Sequence, residues 1–200
     1  MKQILVLNCS ARVEGSSSRN LVEQLLLRLC KKYPGAKFTT RDLSRAPLPH
    51  VSAEFTSAIF VPPSQLPPPL RAALALSDTL VAELQSAEIL VIGSPMYNYT
   101  VPSALKAWID HIVRPGRTFS FAPDHYEGLL KNKKAYVVTA SGGEYSHGPR
   151  MKEDFHAPYL KHILGFIGIT DVTFIRAENL TLAKDAGLAA AEKTLEAISL

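Results

Sequence analysis

Cysteine is scarce in this 200-residue chain, which has two, Cys9 and Cys30. They show neither metal-ligand spacing nor a C-x-x-C pair, which argues against a disulfide framework, a zinc ribbon and a thioredoxin-type centre. Cys9 lies at the end of the first apolar run and Cys30 on the apolar side of the helix after it, so both read as core thiols. No apolar run approaches the length that crosses a bilayer, and the chain opens on a strand-like segment with no signal-peptide pattern. Charge of one sign is missing as well: Lys and Arg number 22 against 18 Asp and Glu, a net +4, with no basic stripe. That balance argues against nucleic-acid binding. It also argues against a small acidic carrier that steers to redox partners by negative charge. The expectation is a cytoplasmic protein with no membrane and no nucleic-acid partner.

Familiar site motifs are absent too. There is no G-x-x-x-x-G-K-[ST] loop and no G-x-G-x-x-G after the first strand, so neither a P-loop nor a conventional dinucleotide site is expected. The lack of a G-x-S-x-G elbow disfavours a hydrolase. Six histidines form no metal constellation: His156 and His162 are off-register for one helix face, and His50, His111 and His125 are isolated. His147, in a loop, reads most simply as solvated.

What is present is a strand–helix alternation. Short apolar runs at Ile4–Leu7, Ile89–Ile92, 135–139 and 172–175 read as strands buried on both faces, with a more peripheral strand over 38–42. Between them come amphipathic helices, the first with Leu21, Val22, Leu25, Leu26, Leu29 and Cys30 on its apolar stripe. Ser94-Pro95 should stop the third strand, and Thr100 stands before a helix opened by Val101-Pro102. A later helix carries Phe155, Tyr159, Leu160, Ile163 and Leu164. Residues 118–121 alternate like a hairpin or flap, and Lys131-Asn132-Lys133-Lys134 reads as a solvated turn. Residues 46–69 hold seven prolines around a short helix at 53–60, and an insertion this long is usually functional or mobile. The pattern predicts one α/β domain over 1–200: a three-layer sandwich with a five-stranded parallel sheet in the order 2-1-3-4-5.

In that topology three unusual loops leave neighbouring strands at one sheet edge, where open α/β sheets bind ligands. The first carries Ser10 and ends in Ser16-Ser17-Ser18 at a helix N-terminus, where free N–H groups, the helix dipole and hydroxyls suit a terminal phosphate. The second, Met96-Tyr97-Asn98-Tyr99, offers tyrosine faces and an amide to a flat ring with a polar edge, such as a flavin. In the third, Ala140-Ser141-Gly142-Gly143, the glycine pair lets backbone approach a planar ligand.

Together, Ser10 with Gly15-Ser16-Ser17-Ser18, Met96-Tyr97-Asn98-Tyr99 and Ala140-Ser141-Gly142-Gly143 resemble the bacterial FMN-dependent NADH-azoreductase and quinone reductase family. Arg41-Asp42-Leu43, the run from Val101 to Asp110 and the run from Leu164 to Asp171 fit its pattern as well, so the resemblance covers nearly the whole chain. It implies a flavodoxin-like homodimer with one FMN per subunit near the interface. Ser10 and Ser16 to Ser18 would hold the phosphate, Met96 to Tyr99 would line the isoalloxazine, and residues 140–143 would border its other edge. NADH, or NADPH in its place, would deliver a hydride, and a quinone or azo compound would then take two electrons. Phe60, Phe119, Phe121 and Tyr145 are the expected substrate pocket, with Phe55, Ile59 and Val61 joining the first three across a two-fold axis. The chain departs from the family at Tyr99, often phenylalanine, at Ala140-Ser141, usually Ser-Arg, and near Phe60, where some members carry arginine; these changes bear on substrate preference. Rival classes are a non-enzymatic flavodoxin-type carrier and a flavin-free nucleotide-binding module.

Overall fold

A computed structural model describes residues 1–200. In chain order the elements are β1 (Gln3–Asn8), α1 (Ser17–Lys32), β2 (Lys37–Asp42), α2 (Ala53–Ala58), α3 (Pro68–Ser86), β3 (Ile89–Pro95) and α4 (Ser103–Ile112). They continue with β4 (Phe119–Phe121), β5 (Tyr126–Gly128), β6 (Lys134–Ala140), α5 (Ala157–Phe166), β7 (Asp171–Ala177) and α6 (Lys184–Ala197). The main sheet runs β2-β1-β3-β6-β7, every neighbouring pair parallel. With the β4–β5 hairpin set aside, this is the expected 2-1-3-4-5 order, and it places the switch point between β1 and β3.

The period of two in a strand sorts each one into both halves of the core. Leu5 and Leu7, Leu90 and Ile92, and Val137 face α3, α4 and α5, where Leu80, Leu84, Leu105, Trp108 and Leu160 meet them. Ile4 and Val6, Val91, Tyr136 and Val138 face α1 and α6. Leu25 and Leu29 of α1 are fully buried in that second half, and truncating either to alanine costs about 2–5 kcal/mol. Cys9 is buried but Cys30 is exposed. Cys30 follows Leu29 by one residue, about 100° around the helix, which turns it out of the stripe that Leu21, Val22, Leu25 and Leu29 complete.

Other local expectations shift for identifiable reasons. Ser94 and Pro95 belong to β3 rather than ending it, paired in register with Thr139 and Ala140. Backbone groups of a parallel strand alternate between its neighbours; Met96 N bonds Ala140 O on the β6 side. Pro95 therefore turns its donorless nitrogen toward β1, whose last bond, Cys9 N to Gly93 O, lies two residues earlier. Pro102, not Thr100, precedes the first turn of α4; the Thr100 hydroxyl instead donates to Phe155 O at 3.1 Å. Phe155 itself lies before α5 and is exposed. Lys133 is not a free loop cation: its Nζ donates to the carbonyls of Gln85 (2.7 Å) and Ala87, closing the C-terminal end of α3.

The apolar side chains of α2 in the insertion pack back onto their own chain. Phe55 and Ala58 of α2 bury against Leu74 of α3, with Ile59, Leu66 and Leu70 packed around them. Phe119 is likewise buried, its ring 4.7 Å from that of Phe166. Phe60 and Phe121 stay 65% and 62% exposed, so the expected apolar patch shrinks to these two outliers. No helix is long and apolar enough to cross a membrane.

Candidate functional site

The first loop is held in shape by one guanidinium. Arg19, on the first turn of α1, donates to Ser10 O at 2.7 Å, to Arg12 O at 3.1 Å and to Ser44 Oγ at 2.8 Å. It also forms a two-pronged pair with Asp42 at 2.7 and 2.9 Å. That pairing holds the Asp42 carboxyl well below the ordinary carboxylate range, with the Ser44 hydroxyl and the Arg45 N–H adding to it against a smaller opposing effect of burial. The strut fixes where the loop's carbonyls point, and the Ser10 hydroxyl closes the turn by donating to Arg12 O at 3.2 Å. Ser16 caps α1, accepting from Arg19 N, and its Oγ shares a 3.2 Å bond with Ser18 Oγ. Ser10, Ser16 and Ser18 are buried, and Arg12 is exposed at the rim.

The second loop is a two-residue turn with both central residues at positive φ, Asn98 at 48° and Tyr99 at 70°. Tyr97 N bonds Thr100 O at 3.0 Å and Thr100 N returns to Tyr97 O at 3.1 Å, the pattern of a type I′ turn. Asn tolerates this region; tyrosine does so at a cost of about 1–2 kcal/mol. The strain is held by bonds on each side: Ala11 N donates to the Tyr97 hydroxyl at 3.2 Å, and Phe155 N to Tyr99 O at 3.1 Å. Asn98 therefore has a backbone role that its amide had concealed in the sequence.

The third loop is stitched to the segment after β7, a wall the sequence did not announce. Asn179 N, Leu180 N and Thr181 N donate to the carbonyls of Gly143, Ser141 and Gly142 at 3.0, 3.1 and 3.1 Å. A Cβ on Gly142 would come within 2.6 Å of Thr181 Oγ1, and one on Gly143 within 2.8 Å of Arg150 Nη1. The approach depends on Gly142, where the short Thr181 side chain has little room to move; at Gly143 the neighbouring atom is the tip of the longer Arg150 side chain. Glu178 accepts from the N–H groups of Tyr145 and Ser146 at 3.0 Å each, anchoring the loop's far end.

Beneath the second loop lies a buried polar chain that also escaped the sequence. Ser94 Oγ and His156 Nε2 share a 2.8 Å hydrogen bond. Asp154 Oδ1 accepts from His156 N and Ala157 N, and its other oxygen pairs with Arg176 at 3.0 Å. His156 is 1% exposed. Burial pushes its pKa down to about 4, with Asp154 opposing and Arg176 reinforcing the shift. The imidazole is thus a neutral strut between β3 and the start of α5. His147, by contrast, is exposed.

The three loops enclose two adjoining cavities. One, about 290 Å³, is lined by Ser10, Arg12, Ser16, Ser17, Ser18, Pro95, Met96, Tyr97, Ala140, Ser141, Gly142, Leu180 and Thr181. The other, about 490 Å³, is lined by Met96, Asn98, Tyr99, Gly142, Gly143, Tyr145, Arg150, Asn179, Thr181 and Leu182. Met96, Gly142 and Thr181 face both, so they form one furrow running from the serine cup to an aromatic slot. Tyr99 and Tyr145 stand edge to face across the slot, 6.0 Å between centroids. Every residue expected at a cofactor lines this furrow, and so does Tyr145. Phe60, Phe119 and Phe121 line neither part of it. Arg12, Pro95, Arg150 and residues 179–182 are additions. Only Arg12 had a local signal, as a cation within the serine loop. A further cavity of about 460 Å³ lies between β7 and α6, floored by Phe174 and Arg176, and shares only Asn179 with the slot.

An open parallel sheet with a serine-lined cup and an aromatic slot at its switch point defines a doubly wound α/β protein whose ligand furrow lies where such sheets bind. Residues 2–199 match the family model described as flavodoxin-like fold, and the chain belongs to that family. It is 47% identical over 183 residues to FMN-dependent NADH:quinone oxidoreductase 1 of Trichormus variabilis, covering 92% of this chain and 87% of that protein. It is 42% identical over 199 residues to the FMN-dependent NADH:quinone oxidoreductase of Herminiimonas arsenicoxydans, covering 100% and 98%. The crystal structure of an FMN-dependent NADH-azoreductase from Bacillus anthracis in complex with FMN superposes with a TM-score of 0.86 at 25% identity, over 98% of this chain and 97% of that one.

Proposed function

We propose that this protein is an FMN-dependent NADH:quinone oxidoreductase that also accepts azo compounds. The observation that carries this reading is the continuous furrow from serine cup to aromatic slot; the names of the relatives support it. The residues present fit FMN. Buried hydroxyls at a helix N-terminus with Arg12 beside them suit a phosphate monoester. Gly142, packed against the Thr181 hydroxyl, lines both parts of the furrow without adding a side chain to it, which suits a flat ring. Ser10, Ser16, Ser17 and Ser18 hold the phosphate, Met96, Tyr97, Asn98 and Tyr99 line one side of the ring, and Ala140, Ser141, Gly142 and Gly143 border its other edge.

When bound, FMN supplies the hydride and two-electron chemistry, and the protein supplies binding and orientation. The chain's own part begins with the turn at 97–100, which its own hydrogen bonds close and which would present Met96 to Tyr99 to the ring. Tyr99 and Tyr145 wall the slot, and a partner subunit over it would keep water out. Without a separate dinucleotide fingerprint, donor and acceptor would share the slot and occupy it in turn. Tyr145 meets substrate within the subunit; Phe60 and Phe121 do so as the roof of a partner subunit's slot in a homodimer, and Phe119 supports Phe121 from beneath, 5.5 Å between their rings. The test is titration of the purified protein with FMN, followed by NADH oxidation with a benzoquinone acceptor. Stoichiometric FMN uptake and quinone-dependent turnover are expected; no flavin uptake, or uptake of FAD in its place, overturns the reading.

A further inference from the structure

We propose that Arg150 selects the hydride donor, by receiving the pyrophosphate of the reduced nicotinamide dinucleotide. This rests on the FMN reading above. The furrow has an arginine at each end: Arg12 at the serine cup and Arg150 at the slot. The cup's cation and hydroxyls are matched to the phosphate of FMN, which leaves Arg150 for a second anionic ligand. Its guanidinium stands over the Tyr145 ring, 5.3 Å from the centroid, and rests against Gly143, where a side chain would collide with Nη1. Its ion pair, with Glu153, is loose and half exposed. The Glu153 carboxylate is 3.6 Å from Nε, beyond hydrogen-bond range. The contrast with its neighbours is clear, since Arg19 is tied to Asp42 and Arg176 to Asp154 at 2.7 and 3.0 Å.

Room for the rest of a dinucleotide adjoins the slot. Arg150 and Asn179 also line a cavity of about 310 Å³ that continues past Gly148 and Pro149. The carboxylate on that cavity, Glu144, lies 3.7 Å from His147. A planar fork of N–H donors, half exposed and stacked on the Tyr145 ring at the junction of two cavities, is the geometry that recognises phosphate oxygens in pairs. The chain has no glycine-rich dinucleotide turn to do so. A donor anchored this way brings its nicotinamide into the slot and leaves the acceptor, which has no pyrophosphate, indifferent to Arg150.

The test compares FMN-loaded wild type with Arg150→Met and Arg150→Lys, using an uncharged benzoquinone as acceptor. Two donors are used: NADH, and N-benzyl-1,4-dihydronicotinamide, which carries the same ring without phosphates. In Arg150→Met, KM for NADH should rise about ten-fold or more, as for loss of a charge-assisted bond, with kcat held. Arg150→Lys should recover part of the loss. KM for the phosphate-free donor should not change. Calorimetric titration with NAD+ should show the same weakening without turnover, and the FMN Kd should be that of wild type. An unchanged KM for NADH overturns the proposal. Equal damage with both donors would place Arg150 at the ring rather than at the pyrophosphate, and a weakened FMN Kd would make it a cofactor ligand; either also overturns it. Failure of the wild type to take up FMN would instead strike the underlying reading.

Discussion

Replacing His156 by glutamine should remove most of the acid sensitivity of this fold between pH 6.5 and pH 4. The imidazole is buried, bonded to Ser94 Oγ, and flanked by Asp154 and Arg176. Burial lowers its pKa from an ordinary 6.5 to about 4, the Asp154 charge raising it and the Arg176 charge lowering it by less. As pH falls, the unfolded chain takes up this proton first, so stability present above pH 6.5 is lost progressively down to about pH 4. At about 1.4 kcal/mol for each pH unit between the two values, the loss is about 3 kcal/mol. For a domain of this size that is a fall in Tm of roughly 6–12 °C. Glutamine can keep a hydrogen bond to Ser94 and does not titrate. The assay is urea unfolding of both proteins from pH 7.5 to pH 4.5, saturated with FMN throughout so that the cofactor's own phosphate titration cancels in the difference. Wild type should lose stability steeply over this range and His156→Gln much less. Parallel curves would refute the reasoning, and would mean that the imidazole is protonated in the fold or reached by water.

The remaining predictions concern the loops and the assembly. Gly142→Ala places a methyl against Thr181 Oγ1 and should weaken FMN affinity about ten-fold or more; Gly142→Ala with Thr181→Ala should restore much of it, as fluorescence titration would show. Asn98→Leu should destabilise the fold by about 1 kcal/mol through the left-handed backbone. Asn98→Gly should keep the turn, so a change in FMN affinity common to both variants isolates the amide. Arg19→Met removes the strut beneath the first loop and leaves Asp42 only the looser Arg45 pair at 3.9 Å, and should lower both stability, by about 1–3 kcal/mol in chemical unfolding, and FMN affinity. Initial rates against NADH and quinone should give parallel reciprocal plots, whereas lines meeting at a point would mean that both substrates occupy the site together. Sedimentation with activity followed through dilution should show a dimer whose loss abolishes turnover, and Phe121→Ser should weaken it.

Much of this protein was readable from residue types and their spacing, because the physics involved is local. Apolar runs and a 3.6-residue stripe specify buried strands and helices, and their alternation specifies a parallel sheet with right-handed crossovers. That sheet brings three loop ends together wherever it forms, so Ser16 to Ser18, Met96 to Tyr99 and Ala140 to Gly143 could be assigned to one edge before any coordinates. Tertiary structure decided what depends on distance between segments far apart in the chain. Arg19 reads as a helix cation until the fold sets Asp42 and two loop carbonyls around it. Cys30 reads as core until Leu21, Val22, Leu25 and Leu29 are seen to fill the stripe without it. Phe55 and Phe119 read as an interface until α2 and the hairpin fold back onto their own subunit. The wall at 179–182, the neutral His156 beneath the turn and Arg150 over Tyr145 carry no local signature. Each is made by a contact between elements, and a contact energy has no period along the chain.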